Sequence, residues 1–117
     1  MIRKKLKTVL SLFTTVLIAK TNYAQTVTIG NQVWMTKNLN VDKFRNGDPI
    51  LQAKTDAEWE AAGKNEQPAW CYYENRVVQN DPENGEKYGK LYNWYAVNAP
   101  RGLAPKGWHI SSDDEWT

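Results

Sequence analysis

With 117 residues, 15 of them basic and 13 acidic for a formal net charge of +2, the chain has room for one domain. Aromatic residues make up 12% of it, including six Trp and six Tyr, which argues for a packed core rather than a disordered chain. One Cys and one His leave no cysteine pair, no His-centred dyad with a nucleophile and no metal-ligand cluster with usable spacing.

The N-terminus reads as a targeting segment. Arg3, Lys4, Lys5 and Lys7 form a positively charged start, and Thr8 to Ala19 is a mostly apolar run. That run is shorter than the ~20 residues needed to span a bilayer and has the length of a signal-peptide core. Lys20 closes it. Ala24 suits the position before a cleavage point, although Asn22 departs from the small-x-small pattern. No Cys stands near that point, which argues against a lipid anchor. The expected division is therefore a signal peptide over residues 1–24 and an exported domain over 25–117, lying in the periplasm, at the cell surface or in the medium. After cleavage the remainder carries 10 basic and 13 acidic residues, a net charge of −3. Dispersed charges of that sign exclude a nucleic-acid binder, and no basic amphipathic stretch remains to hold anionic lipid. No transmembrane segment is expected after cleavage.

Val27 to Met35 alternates β-formers around Gly30-Asn31, a pattern that predicts a hairpin. Asn46-Gly47-Asp48-Pro49 predicts a turn. Thr55-x-x-Glu58 is a capping box that opens a helix, with Gly63 expected to end it. Ala69 to Tyr73 is an apolar run of strand length, and Asn80 to Gly85 is a loop of turn formers. Tyr88, Leu91, Tyr92 and Tyr95 recur at helical spacing and predict a short amphipathic helix. Pro100, Gly102, Pro105 and Gly107 mark a loop. Trp108-His109-Ile110 predicts a short strand leading into a second capping box, Ser112-Asp113-Asp114-Glu115. Only five residues follow Ser112, so the helix opened there is expected to be incomplete at the C-terminus.

Four segments, IGNQVWMTKNLNV, PAWCYYEN, DPENGEKYGKLYNWYAVN and GLAPKGWHISSDDEW, together resemble the Fibrobacter succinogenes major paralogous domain from about Val27 onward. That family consists of exported bacterial domains, many on cell-surface proteins, with no established activity. The resemblance implies a copy that stops before the family's usual end. Ser111 stands where the family usually has Pro. The segment from Gly107 to Trp116 is also similar, at a greater distance, to formylglycine-generating enzymes, whose core is a variant of the C-type lectin fold. This implies an α+β, loop-rich, C-type-lectin-like domain. Fold analogy alone says little about function.

Formylglycine-generating oxidases use paired cysteines with copper, whereas Cys71 is alone in an aromatic run without a basic neighbour to lower its pKa. It reads as a buried thiol or half of a disulfide. His109, between Trp108 and Ile110, reads as a hydrogen-bonded core residue. The carboxylates at Asp113, Asp114 and Glu115 are explained by helix capping. Asp81, Glu83, Asn84 and Glu86 are a weak Ca²⁺ candidate, but their spacing fits no EF-hand and solvated turn chemistry is preferred, so no cofactor is expected. Trp70, Tyr72 and Tyr73 are the candidate binding residues, with Trp94 a further one, through stacking on sugar rings, although burial in the core is the more common fate of such residues. The expected function is non-catalytic binding or adhesion at the cell envelope, with a cell-surface glycan or protein as partner. An enzyme related to the formylglycine-generating oxidases and a purely structural surface domain are the alternatives.

Overall fold

The computed structural model describes residues 2–4, 25–75 and 88–116. Strands β1 (Ile2–Lys4), β2 (Thr26–Ile29), β3 (Gln32–Met35), β4 (Leu51–Gln52), β5 (Ala69–Cys71), β6 (Leu91–Tyr92) and β7 (Trp108–Ile110) form two sheets. Two helices accompany them, α1 (Asp56–Lys64) and α2 (Trp94–Val97). The fold is a mixed α+β arrangement.

The first sheet has the order β2-β3-β1-β7, antiparallel throughout. Its β2–β3 hairpin turns at Gly30, whose φ of 59° is open to glycine without a Cβ penalty. The expected hairpin is there. β1 is drawn from the segment read as the start of the signal peptide, and Ile2 is buried against Met35 and Ala104. The acidic loop expected at Asn80 to Gly85 lies outside the described residues.

The second sheet has the order β4-β5-β6. β4 and β5 are parallel, so the chain must cross over between them, and α1 is that crossover. Thr55 caps α1 as expected, its hydroxyl accepting from the Glu58 N–H at 3.2 Å. The Glu58 carboxylate reaches back to the Lys54 N–H at 2.6 Å, one residue earlier than in an ideal capping box.

The far end of α1 departs from expectation. Gly63 stays helical, and the helix runs through Lys64 to an Asn65 cap. Glu66 then takes a left-handed φ of 53°. The Glu66 N–H donates to the Gly63 carbonyl at 3.2 Å and the Gln67 N–H to the Ala62 carbonyl at 2.8 Å. That is a Schellman closure with Glu66 where glycine is usual.

A second departure lies within Tyr88 to Tyr95: Tyr88 and Tyr95 are helical as expected, but strand β6 at Leu91–Tyr92 interrupts the helix between them, and α2 begins only at Trp94. Gly89 has a φ of 67°, and a Cβ there would lie 2.7 Å from the Leu39 carbonyl oxygen. Close backbone packing of this kind prevents a helix from passing through it. Leu91 and Tyr92 join the ladder opposite Cys71 and Trp70. Asn93 then caps α2: its Oδ1 accepts from the Ala96 and Ala69 N–H groups, both at 3.0 Å, and its Nδ2 donates to the Gln67 carbonyl at 2.7 Å. One side chain thus joins the helix start to the stretch that leads into β5.

The core has two parts. Phe44, Ile50, Trp70, Ala96 and Leu103 form the larger, and Ile2, Met35 and Ala104 the smaller. Leu39 and Ile110 pack against both and join them. Of the six tryptophans only Trp34 and Trp70 are buried, and alanines at 53, 62, 69, 96 and 104 let the backbones approach closely. The core is less aromatic than the composition implies. Arg45 ties the long loop before β7 to the larger core, donating to the Ala104 and Trp108 carbonyls, each at 3.0 Å.

Candidate functional site

The expected binding trio begins on β5 and separates as the chain leaves the sheet. Trp70 is 6% exposed and its indole N–H donates to the Ile50 carbonyl at 3.1 Å. Its ring is committed to the core, so it offers no stacking face to a ligand. Tyr72 is half-buried and meets the Trp70 ring edge-on at 5.2 Å. Only Tyr73 is freely exposed, in a turn (Tyr73–Asn75) where Glu74 takes a φ of 56°.

Tyr88, which is not among the aromatics expected to bind, completes the surface. Tyr88 is exposed, and its ring lies 5.8 Å from that of Tyr73 at an angle of 41°. Beside it opens a trough of about 290 Å³. Its rim is Asn38, Tyr88, Lys90 and Leu91, and its apolar floor includes Leu39, Tyr92, Leu103 and, from β1, Ile2. The rim Lys90 was also missed. The signal available for it was a lone cation between Gly89 and an aromatic-rich strand.

Lys90 holds a defined position. Its Nζ donates to Asn40 at 2.7 Å (Oδ1) and 3.2 Å (carbonyl), and sits 4.7 Å above the Trp70 ring and 5.6 Å from that of Tyr72. Burial pushes its pKa down, against the opposing pull of Asp42. The floor is fixed by Tyr92, whose hydroxyl donates to the Val41 carbonyl and accepts from the Val41 N–H, both at 2.7 Å. Burial drives the Tyr92 pKa upward, so the phenol stays protonated. A positioned cation, an aromatic lip and an apolar floor are the elements of a small-molecule site.

A larger hollow of about 380 Å³ lies between α1 and β4, lined by Leu51, Lys54, Glu58 and Ala61 among others. It has no aromatic wall, and the trough beside Tyr88 is the better candidate for a ring-stacking ligand.

Cys71 is a free thiol in the core, and burial raises its pKa, with Asp56 adding to the effect. His109 is half-buried, and its Nε2 lies 2.9 and 3.0 Å from the two Glu115 oxygens. A carboxylate only accepts, so Nε2 carries the proton; Nδ1 is buried without a partner. Glu115 also accepts from the Ser112 N–H at 3.0 Å and from Arg3. The Ser112 backbone bond first, then the His109 bond, lower the Glu115 pKa to about 2. The expected capping box is thus present, in a single 3₁₀ turn (Asp113–Glu115).

Asp81, Glu83, Asn84 and Glu86 lie outside the described residues. Among the described residues no group of three or more His, Cys, Asp or Glu side chains is placed to hold a metal ion. No helix among them is long and apolar enough to cross a membrane.

Comparison with known proteins finds no matching curated protein and no matching solved structure. The family model of the Fibrobacter succinogenes major domain matches residues 27–117. That span contains the hairpin, the trough and the capped turn at Ser112, and the chain therefore belongs to the Fibrobacter succinogenes major domain family.

Proposed function

We propose that this is an exported, lectin-like binding domain of the bacterial cell envelope, non-catalytic, that takes a glycan at the trough beside Tyr88. The observation that carries this reading is the Tyr73–Tyr88 ring pair, both members exposed, at the edge of an apolar trough rimmed by Lys90. Aromatic faces stack on the apolar face of a sugar ring, and polar rim groups bond its hydroxyls. Cys71 supports binding over thiol chemistry. A reactive thiolate needs an exposed, electropositive setting, whereas burial and Asp56 both hold this thiol protonated.

A glycan array probed with the full chain tests the proposal. Binding is expected, and it should weaken at least tenfold in Tyr73→Ala and in Tyr88→Ala without loss of fold. An array with no hits, or hits untouched by both substitutions, would refute it. Export is tested separately: the secreted form is expected to begin at Gln25, and N-terminal sequencing that finds Met1 would refute the leader.

A further inference from the structure

The first sheet has its middle supplied by a segment with another expected fate. β1 pairs with β3 on one side, Arg3 opposite Trp34 and Lys4 opposite Val33, and with β7 on the other, Ile2, Arg3 and Lys4 opposite Ile110, His109 and Trp108. β3 and β7 are not neighbours in the sheet; β1 lies between them. Cleavage after Ala24 would take β1 away and leave two open strand edges facing one gap. Open edges of this kind are templates for another strand.

The seat also reads side chains. Ile2 is 2% exposed and packs with Met35 and Ala104. Arg3 reaches the Glu115 carboxylate, which the Ser112 N–H and the His109 ring already hold in position. An apolar pocket followed by a fixed carboxylate accepts an apolar residue followed directly by Arg. Within the sequence, Phe44-Arg45 is another such pair, but it is already committed: Phe44 lies in the core and Arg45 bonds the Ala104 and Trp108 carbonyls.

We infer that the gap between β3 and β7 is a strand-acceptor site, which in the exported domain receives an extended apolar–Arg segment of a separate chain, antiparallel to both neighbours. Ile2-Arg3-Lys4 is the stand-in that fills it before cleavage. The inference rests on the proposed leader removal for its setting, but the acceptor property is measurable apart from it.

The test uses the full chain with a protease site inserted between Lys20 and Gln25. The protein is folded intact, nicked, and mixed with a fluorescent peptide containing Ile-Arg-Lys. Uptake by anisotropy is expected, with at least tenfold weaker binding for the Ile-Glu-Lys peptide. Glu115→Lys should reverse that preference. If release of the leader unfolds the nicked chain, the Ile-Arg-Lys peptide should restore its native near-UV signal. No uptake or restoration, equal uptake of both peptides, or a dimer that forms without peptide and blocks uptake would each overturn the inference. Sequencing of the secreted N-terminus decides the leader independently, so the two failures remain distinguishable.

Discussion

Trp70 donates its indole N–H to the Ile50 carbonyl from a site only 6% exposed, whereas Tyr73, three residues on, is 53% exposed. Their substitutions should therefore have opposite signatures. Trp70→Ala empties a core site and leaves the Ile50 carbonyl unpaired, which should cost about 3–5 kcal/mol. Tyr73→Ala should change stability by no more than about 0.5 kcal/mol and act on ligand binding alone. Chemical denaturation of the two variants checks this, and similar midpoints would contradict the assignment. The apolar run AWCYY marked a strand in the sequence, but which of its aromatics stayed buried depended on where the strand ended. That end is set by the turn at Glu74, which no local pattern announces.

Glu115 provides the acid response. Its folded pKa of about 2 lies below the ordinary 4.5, so its contribution is complete above pH 4.5 and is lost as pH falls toward 2. The groups that hold it are the Ser112 N–H, His109 and Arg3. Between pH 4.5 and 2 the wild-type chain should lose more stability than Glu115→Gln, measured by thermal melting across that range. Equal pH slopes would show that the carboxylate is not linked to folding. A capping role for Glu115 was legible in the Ser-x-x-Glu spacing. Its contact with Arg3 was not, because residues 112 apart meet there only through the sheet, and its contact with His109 depends on how the turn after β7 folds back on the strand.

At the scale of elements, local signals with a chemical mechanism were the reliable ones. Gly30-Asn31 turned the hairpin, Thr55 capped α1, and Trp108-His109-Ile110 formed a strand. Periodicity alone misled at Leu91 and Tyr92, which keep helical spacing with Tyr88 and Tyr95 but leave the helix because a tertiary contact prevails. Gly89 is pressed against the Leu39 carbonyl, the Lys90 N–H donates to that carbonyl at 3.3 Å, and Leu91 enters the β5–β6 ladder. Gly89→Ala brings a Cβ within 2.7 Å of backbone oxygen at a left-handed φ. It should destabilise the domain by about 2 kcal/mol or more, read as a lower denaturation midpoint. An unchanged midpoint would mean that the strand reading of this segment is wrong. Glu66 makes the complementary point, since it closes α1 in a conformation that glycine occupies more easily, and Gly63 misled because it lies inside the helix.

For the whole molecule, two small cores are joined through Leu39 and Ile110, and the candidate trough opens where Leu39, Tyr92 and Ile110 meet solvent-facing Tyr88 and Leu91. Family membership and the α+β class were legible from motifs and patterning. The trough was not, because its walls come from stretches far apart in the chain, at residues 2, 38–39, 88–97 and 103–110, that only tertiary packing brings together. The central claim is that this trough is where a glycan binds. It is tested most directly by titrating an array-selected glycan into the ¹⁵N-labelled full chain and following amide shifts. Perturbations are expected to cluster at Tyr73, Tyr88, Lys90 and Leu91, with the side-chain amide of Asn38 among them. Shifts confined to the α1–β4 hollow at Leu51, Ala61 and Asn65, or no shifts with any glycan, would contradict it.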